Sequence, residues 1–310
     1  VRSMRIVFAG TPDVALPTLD ALVGSRHEIV AVVTRPDAPS GRGRKLTPSP
    51  VAQRAEELGI EVLKPEHPRD EEFQTRLRAL DPDCCPVVAY GALLPQSALD
   101  IPRLGWVNLH FSLLPEYRGA APVQRAVWNG EEFSGATTFR IVKELDAGPT
   151  FGVMTQLLAA DETAGSLFDK LADGGAALMV ATLDALEDGA IEARPQPLEG
   201  ITYAPKITVE DAQVDWTRAA VALDHQIRAC TPAPGAWTLL DGERFKIGPA
   251  AVVDGDLKPG EIEVSKNDVL VGTGSQCLRL GLVKAFGKKE MPAGDWARGV
   301  RLEPGARFGD

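Results

Sequence analysis

The stretch MRIVFAGTPDVALPTLDALVG, residues 4–24, sets a short apolar strand directly against a helical pattern opened by Pro and Asp. The strand is apolar on nearly every residue rather than on every second one, as expected of a strand covered on both faces. The same unit then repeats. HEIVAVVT (27–34) is a second strand, a Gly/Pro/Arg-rich loop leads into a helix around 49–58, and GIEVLKP (59–65) is a third strand. RDEEFQTRLRAL (69–80) is a helix, DCCPVVAYG (83–91) a fourth strand and WVNLH (106–110) the next, followed by a short helix in APVQRAVWNG (121–130). This alternation predicts a doubly wound parallel α/β sheet with helices on its faces.

The chain continues with two strands joined at ELDAGP (144–149), expected as an antiparallel pair, and one long helix over 163–189 that Gly174 and Gly175 weaken without breaking. The texture then changes. ARPQPLEGITYAPKI (193–207) is proline-rich and extended and reads as a linker. A helix around 217–230 precedes short strands separated by Gly, Asp and Pro, including a hairpin with Asp241-Gly242 at its turn. A small barrel of five or six strands, of the OB-like kind, is the expected second domain. The expected boundaries are a first domain over 1–189, a linker over 190–207 and a second domain over 208–310.

Composition narrows the classes. A formal net charge of −10 over 310 residues argues against a surface coated for nucleic acid, yet the charge is unevenly spread. Residues 56–83 carry nine acids against four bases, whereas 35–46 carry four bases and one acid and 279–289 carry four bases and no acid. A local basic path is therefore open. No apolar run reaches the length of a membrane span. VRSMRIVFAG lacks the apolar core and cleavage site of a secretory signal, so a cytoplasmic protein is expected. Cys84, Cys85, Cys230 and Cys277 have no metal-ligand spacing, and the adjacent pair lies in an apolar run, which points to buried reduced thiols. AGTPDVALP lacks GxGxxG, so the tight turn that cradles a dinucleotide is missing, and no phosphate-binding P-loop is present.

The chemistry candidates lie where the fifth strand ends. In VNLHFSLLPEYRGAAP (107–122), Asn108 and His110 stand two apart and share one face of the strand. A buried, fully bonded polar pair is one reading. The other is a donor pair at the carboxyl edge of an open sheet, where ligands bind, able to hold an oxyanion or move a proton. Asp146 in ELDAGP is either a turn former or a third member of that site.

NLHFSLLPEYRGAAP and KELDAGP resemble the signature segments of the folate-dependent formyltransferases. The resemblance implies a Rossmann-like catalytic domain, with Asn108, His110 and Asp146 as the catalytic Asn, His and Asp. It implies Ser112, Leu113, Leu114 and Pro115, with Tyr90 and Val142, as the folate-binding residues. It further implies 10-formyltetrahydrofolate as formyl donor and no metal. Phe111 departs from the pattern, standing where relatives often carry Gly or Pro. FAGTPDVALPTL, RPDAPSGRGRKLTPSPV, GITYAPKI and LRLGLVKAFGKKEMPAGDW are similar to the branch that formylates the methionine carried by initiator tRNA, working as a monomer. In that branch Arg42, Arg44 and Lys45, in a loop made pliable by Gly41 and Gly43, would meet the acceptor end. Lys206, Lys284 and Lys288, with Arg279 and Lys289, would position the rest of the tRNA. A sugar-nucleotide N-formyltransferase and a catalytically inert RNA-binding protein are the rival readings.

Overall fold

The computed structural model describes residues 2–41 and 43–309. The chain forms two compact units that interleave in sequence. The first takes the residues up to Gly119 together with Phe133–Gln156 and Phe168–Tyr203. The second takes Ala120–Glu132, Leu157–Leu167 and the chain from Ala204 on. Of the segment read as a linker, residues 190–203 thus fall with the first unit and 204–207 with the second.

The first unit is built on a seven-stranded sheet. Its strands are β1 (Arg5–Gly10), β2 (Glu28–Val33), β3 (Val62–Leu63), β4 (Cys85–Val88), β5 (Trp106–His110), β6 (Phe133–Arg140) and β7 (Thr150–Leu157), in the order β3-β2-β1-β4-β5-β6-β7. The first five run parallel and β6 runs antiparallel to β5. The Arg140 N–H donates to the Pro149 carbonyl, as the antiparallel β6–β7 turn requires. The order reverses between β1 and β4, the switch point of a doubly wound sheet, and β4 and β5 lie on the far side of it.

The near-continuous apolar strands are covered as their composition demands. Alternate residues Val7 and Ala9 of β1, Ala31 and Val33 of β2, and Cys85 and Val87 of β4 form one buried layer. Phe73, Leu77 and Leu80 of the helix Glu71–Leu80 close over it at helical spacing. Burial pushes the Cys84 thiol up to about 12 and holds Cys85 well above its usual range, so both are neutral packing groups. Among the described residues no helix is long and apolar enough to cross a membrane.

The second unit carries the helices Pro122–Trp128 and Ala220–Ala229 and two four-stranded sheets. One has the order Ala236–Leu240, Glu243–Ile247, Leu282–Lys284, Met291–Pro292; the other runs Ala251–Val253, Cys277–Arg279, Val269–Gly272, Ile262–Val264. Among the described residues the five or six expected strands are eight short ones, and the strand pairs in both sheets are antiparallel. The Asp241-Gly242 hairpin forms as read: both residues have positive φ, +51° and +75°, which the tightest hairpin turn demands. Between the strands Trp216 stacks on Phe308, and Phe245 meets Trp296 and Phe308 at centroid distances of 4.7 and 5.0 Å. This aromatic cluster is the centre of the small unit's core.

The long helix Ala164–Glu187 shows why a glycine pair sits in its middle. A Cβ on Gly175 would stand 2.6 Å from Leu109 Cδ2 and 3.3 Å from its Cγ, whereas one on Gly174 would meet only the end of Met154. Leu109 is 2% exposed and cannot retreat, while the thioether of Met154 can. Gly174→Ala should therefore be neutral or gain up to about 1 kcal/mol of helix propensity. Gly175→Ala should lose about 1–3 kcal/mol by overpacking beside the strand that carries His110. Urea unfolding of the two variants checks this opposition of sign.

Candidate active site

β5 alternates its side chains so that Trp106, Asn108 and His110 share one face. The chain then turns through Ser112–Pro115, and Thr137 on β6 fixes that turn. Its Oγ1 donates to the Ser112 carbonyl at 2.7 Å and accepts from the Leu114 N–H at 3.2 Å. Ser112, itself buried, spends its hydroxyl on the Glu116 carbonyl at 2.6 Å. Phe111 is buried and meets Phe168 edge-to-face with centroids 6.0 Å apart, so the bulky residue at the departure from the pattern is a packing anchor.

His110 and Asp146 come together. His110 Nδ1 stands 3.8 Å from Asp146 Oδ2, and both side chains are largely shielded. On its other side, His110 Nε2 lies 2.8 Å from the Tyr117 carbonyl oxygen. A carbonyl can only accept, so Nε2 carries a hydrogen and donates it. Nδ1 is then the ring atom free to work, and it faces the carboxylate. Asp146 Oδ2 also accepts the Gly119 N–H at 2.7 Å. Asp146 itself adopts φ +48°, an uncommon conformation for a residue with a side chain. Asn108 is half-buried, and its amide makes no side-chain hydrogen bond within the protein among the described residues.

Two side chains that the sequence reading passed over complete the framework. The Arg118 guanidinium, buried, donates through Nε and Nη2 to Gln196 Oε1 at 3.2 and 2.7 Å. Gln196 Nε2 in turn donates to the carbonyls of Asp146 and Gly148 at 2.7 and 2.9 Å. Gly148 is forced: a Cβ there would lie 1.7 Å from the Arg140 carbonyl oxygen. The proline-rich segment that supplies Gln196 is extended, and it is also bonded along its length. Arg194 exchanges two backbone hydrogen bonds with Thr150, and Thr202 accepts from the backbone N–H groups of Tyr117 and Arg118.

Two family models match the chain. The Formyl transferase family model covers residues 4–183, and the model of the Formyl transferase C-terminal domain covers 206–301. The methionyl-tRNA formyltransferase of Nocardioides sp. is 67% identical over 310 residues, spanning 99% of this chain and 98% of that protein. That of Streptomyces coelicolor is 60% identical over 310 residues, spanning 99% of this chain and 100% of the relative.

The chain belongs to the methionyl-tRNA formyltransferase family.

A solved structure of HypX from Aquifex aeolicus in complex with tetrahydrofolic acid superposes with a TM-score of 0.68 at 18% identity, covering 97% of this chain and 48% of HypX, and shows the shared fold.

Of this family member's other sequence-derived candidates, Leu113, Leu114, Pro115 and Val142 are half-buried around the turn and the end of β6. The Tyr90 ring belongs to the core layer of β1, β2 and β4, and burial pushes its hydroxyl up to about 12. Arg42 lies outside the described residues. Arg44 and Lys45 are exposed on a two-stranded hairpin, Ala38–Ser40 with Lys45–Thr47. Lys206, Lys284 and Lys288 are exposed on the second unit. Lys284 is paired directly across from Lys246, a cation absent from the sequence reading because only strand register reveals it. Lys288 and Lys289 border a cavity of about 420 Å³ floored by Phe245 and Trp296.

Thr137 gives the site its first test. Thr137→Val keeps the volume and strands the Ser112 carbonyl and the Leu114 N–H, which should cost about 1–3 kcal/mol of stability. Thr137→Ser should restore most of it, and chemical denaturation of both variants reads the difference.

Proposed function

We propose that the enzyme moves the formyl group of 10-formyltetrahydrofolate to the α-amine of methionine esterified to initiator tRNA, giving N-formylmethionyl-tRNA and tetrahydrofolate. The observation that carries this reading is the Asp146 carboxylate set between the Gly119 N–H and His110 Nδ1, with the Asn108 amide on the same strand face as His110. The reaction is acyl transfer from nitrogen to nitrogen. The attacking amine is neutral, and negative charge builds on the formyl oxygen as the tetrahedral intermediate forms. Fixed donors aimed at that oxygen stabilise the transition state more than the ground state.

The Asn108 amide is one such donor. His110 is the second once its ring is protonated on both nitrogens: Nε2–H is committed to the Tyr117 carbonyl, so an Nδ1–H is the one left to offer. Asp146 sets a carboxylate oxygen 3.8 Å from Nδ1. It also gives the proton leaving the amine a place to pass on its way to the folate nitrogen. The Ser112–Pro115 turn, with Val142, forms the folate side of the site, while the Tyr90 ring is packed in the core layer. Arg42, Arg44 and Lys45 meet the acceptor end of the tRNA. Lys206, Lys284 and Lys288, with Lys246 beside Lys284, hold its phosphates and fix its register. Four free thiols fit a reducing cytoplasm, and the enzyme acts there as a monomer.

Formylation followed by mass spectrometry, with initiator methionyl-tRNA, elongator methionyl-tRNA and a UDP-amino-sugar as competing acceptors, tests the reading. Formyl on the initiator alone is expected, and transfer to the sugar in its place would overturn it. Asn108→Ala and His110→Ala should each lower kcat about 10²–10³-fold, the cost of one well-aimed oxyanion donor, while tRNA still binds. Near-normal turnover of His110→Ala removes its assignment.

The basic hairpin has its own signature. Arg44→Ala and Lys45→Ala should weaken tRNA binding without changing KM for the folate. Each phosphate that a variant no longer neutralises should flatten the slope of log K against log salt by about one. Filter binding across a salt series measures it.

A further inference from the structure

Gln196 sits in the stretch ARPQPLEGITYAPKI, which the sequence presents as a connector. It is only 9% exposed, and every polar atom of its side chain is spent. The two hydrogens of Nε2 go to the carbonyls of Asp146 and Gly148, 2.7 and 2.9 Å away, and Oε1 accepts both bonds from Arg118. A guanidinium only donates, so Arg118 fixes which end of the amide faces the loop. The two carbonyls flank Ala147 in the turn where Asp146 holds φ +48°. That backbone conformation is disfavoured for an aspartate and persists only where its surroundings enforce it.

We propose that Gln196 is a positioning residue for the acyl-transfer step: it clamps the Asp146 turn so that the carboxylate stays beside His110 Nδ1. This rests on the reading of Asp146 as the proton-holding partner of His110. The clamp is anchored to the site it serves. Arg118, which orients Gln196, lies between Tyr117, whose carbonyl receives His110 Nε2–H, and Gly119, whose N–H binds the Asp146 carboxylate. Displacement of the turn therefore moves the carboxylate against an imidazole held from the opposite side. Loss of the Gln196 donors leaves two shielded carbonyls without partners, and the turn relaxes toward a conformation that an aspartate prefers. Neither substrate needs to touch Gln196 for this to slow the reaction, so its effect belongs in kcat.

Gln196→Glu is the sharpest probe. It keeps the length of the side chain and the acceptor for Arg118, and it removes both donors to the turn. Gln196→Met also removes the donors but leaves Arg118 unpartnered. Each should lower kcat about tenfold or more, with KM for the folate and for methionyl-tRNA within about threefold of the parent. In an Asp146→Asn background the same changes should add less than about threefold, because the group they position is already lost. Unchanged kcat in Gln196→Glu, a loss confined to the Met variant, a loss carried by KM, or equal losses in both backgrounds would each overturn the proposal. The two readings separate cleanly. Full activity of Asp146→Asn alone removes the role given to the carboxylate and this inference with it. A slow Asp146→Asn beside a normal Gln196→Glu removes only the role of Gln196.

Discussion

The tripeptide Tyr117–Arg118–Gly119 is the constraint on which the site depends. His110 comes from the end of β5 and Asp146 from the turn between β6 and β7, and nothing in the sheet ladder sets the distance between an imidazole and a carboxylate. The tripeptide does. Its first carbonyl takes the ring's Nε2 hydrogen, its last N–H takes the carboxylate oxygen, and its central side chain reaches the turn through Gln196. Tyr117 and Gly119 both adopt positive φ, +56° and +112°, which lets consecutive peptide groups face different partners over so short a span. The YRG segment is thus a bracket between two arms of the site.

That bracket also settles a chemical ambiguity. An imidazole on an exposed strand end can present either nitrogen. Here a carbonyl occupies the partner position of Nε2, so that nitrogen carries a hydrogen, and the carboxylate stands on the Nδ1 side at 3.8 Å. At this distance the pair is too far apart for a direct hydrogen bond.

Much of the frame was legible in the amino-acid order because it is written in local signals. Continuous apolar runs named the covered strands, Asp241-Gly242 named its hairpin, and the spacing of Asn108 and His110 put them on one face. Residues whose roles come from packing between distant segments carried no such signal. Gly174 and Gly175 look like weak points in a helix until the positions of Leu109 and Met154 are known. The helix Pro122–Trp128 reads only as a short helix after the fifth strand, yet it groups with residues from Ala204 on. Gln196 lies among prolines, which announce an extended chain and say nothing of what that chain lies against. Phe111 was visible as a departure, and only its packing on Phe168 explains it.

Polar saturation around the site has a direction. The hydroxyl of Ser112, the hydroxyl of Thr137, the guanidinium of Arg118 and the amide of Gln196 are all bonded to backbone or to one another. Each of these bonds lowers the freedom of a loop that adjoins His110 or Asp146. The Asn108 amide and the Nδ1 side of His110 are left open, beside one carboxylate oxygen already held by Gly119. Donors that are fixed before substrate arrives need little reorganisation when charge develops, and that is where electrostatic catalysis gains most over water. The scaffold satisfies its supporting groups internally and leaves the Asn108 amide and His110 Nδ1, on one strand face, without a protein hydrogen bond among the described residues.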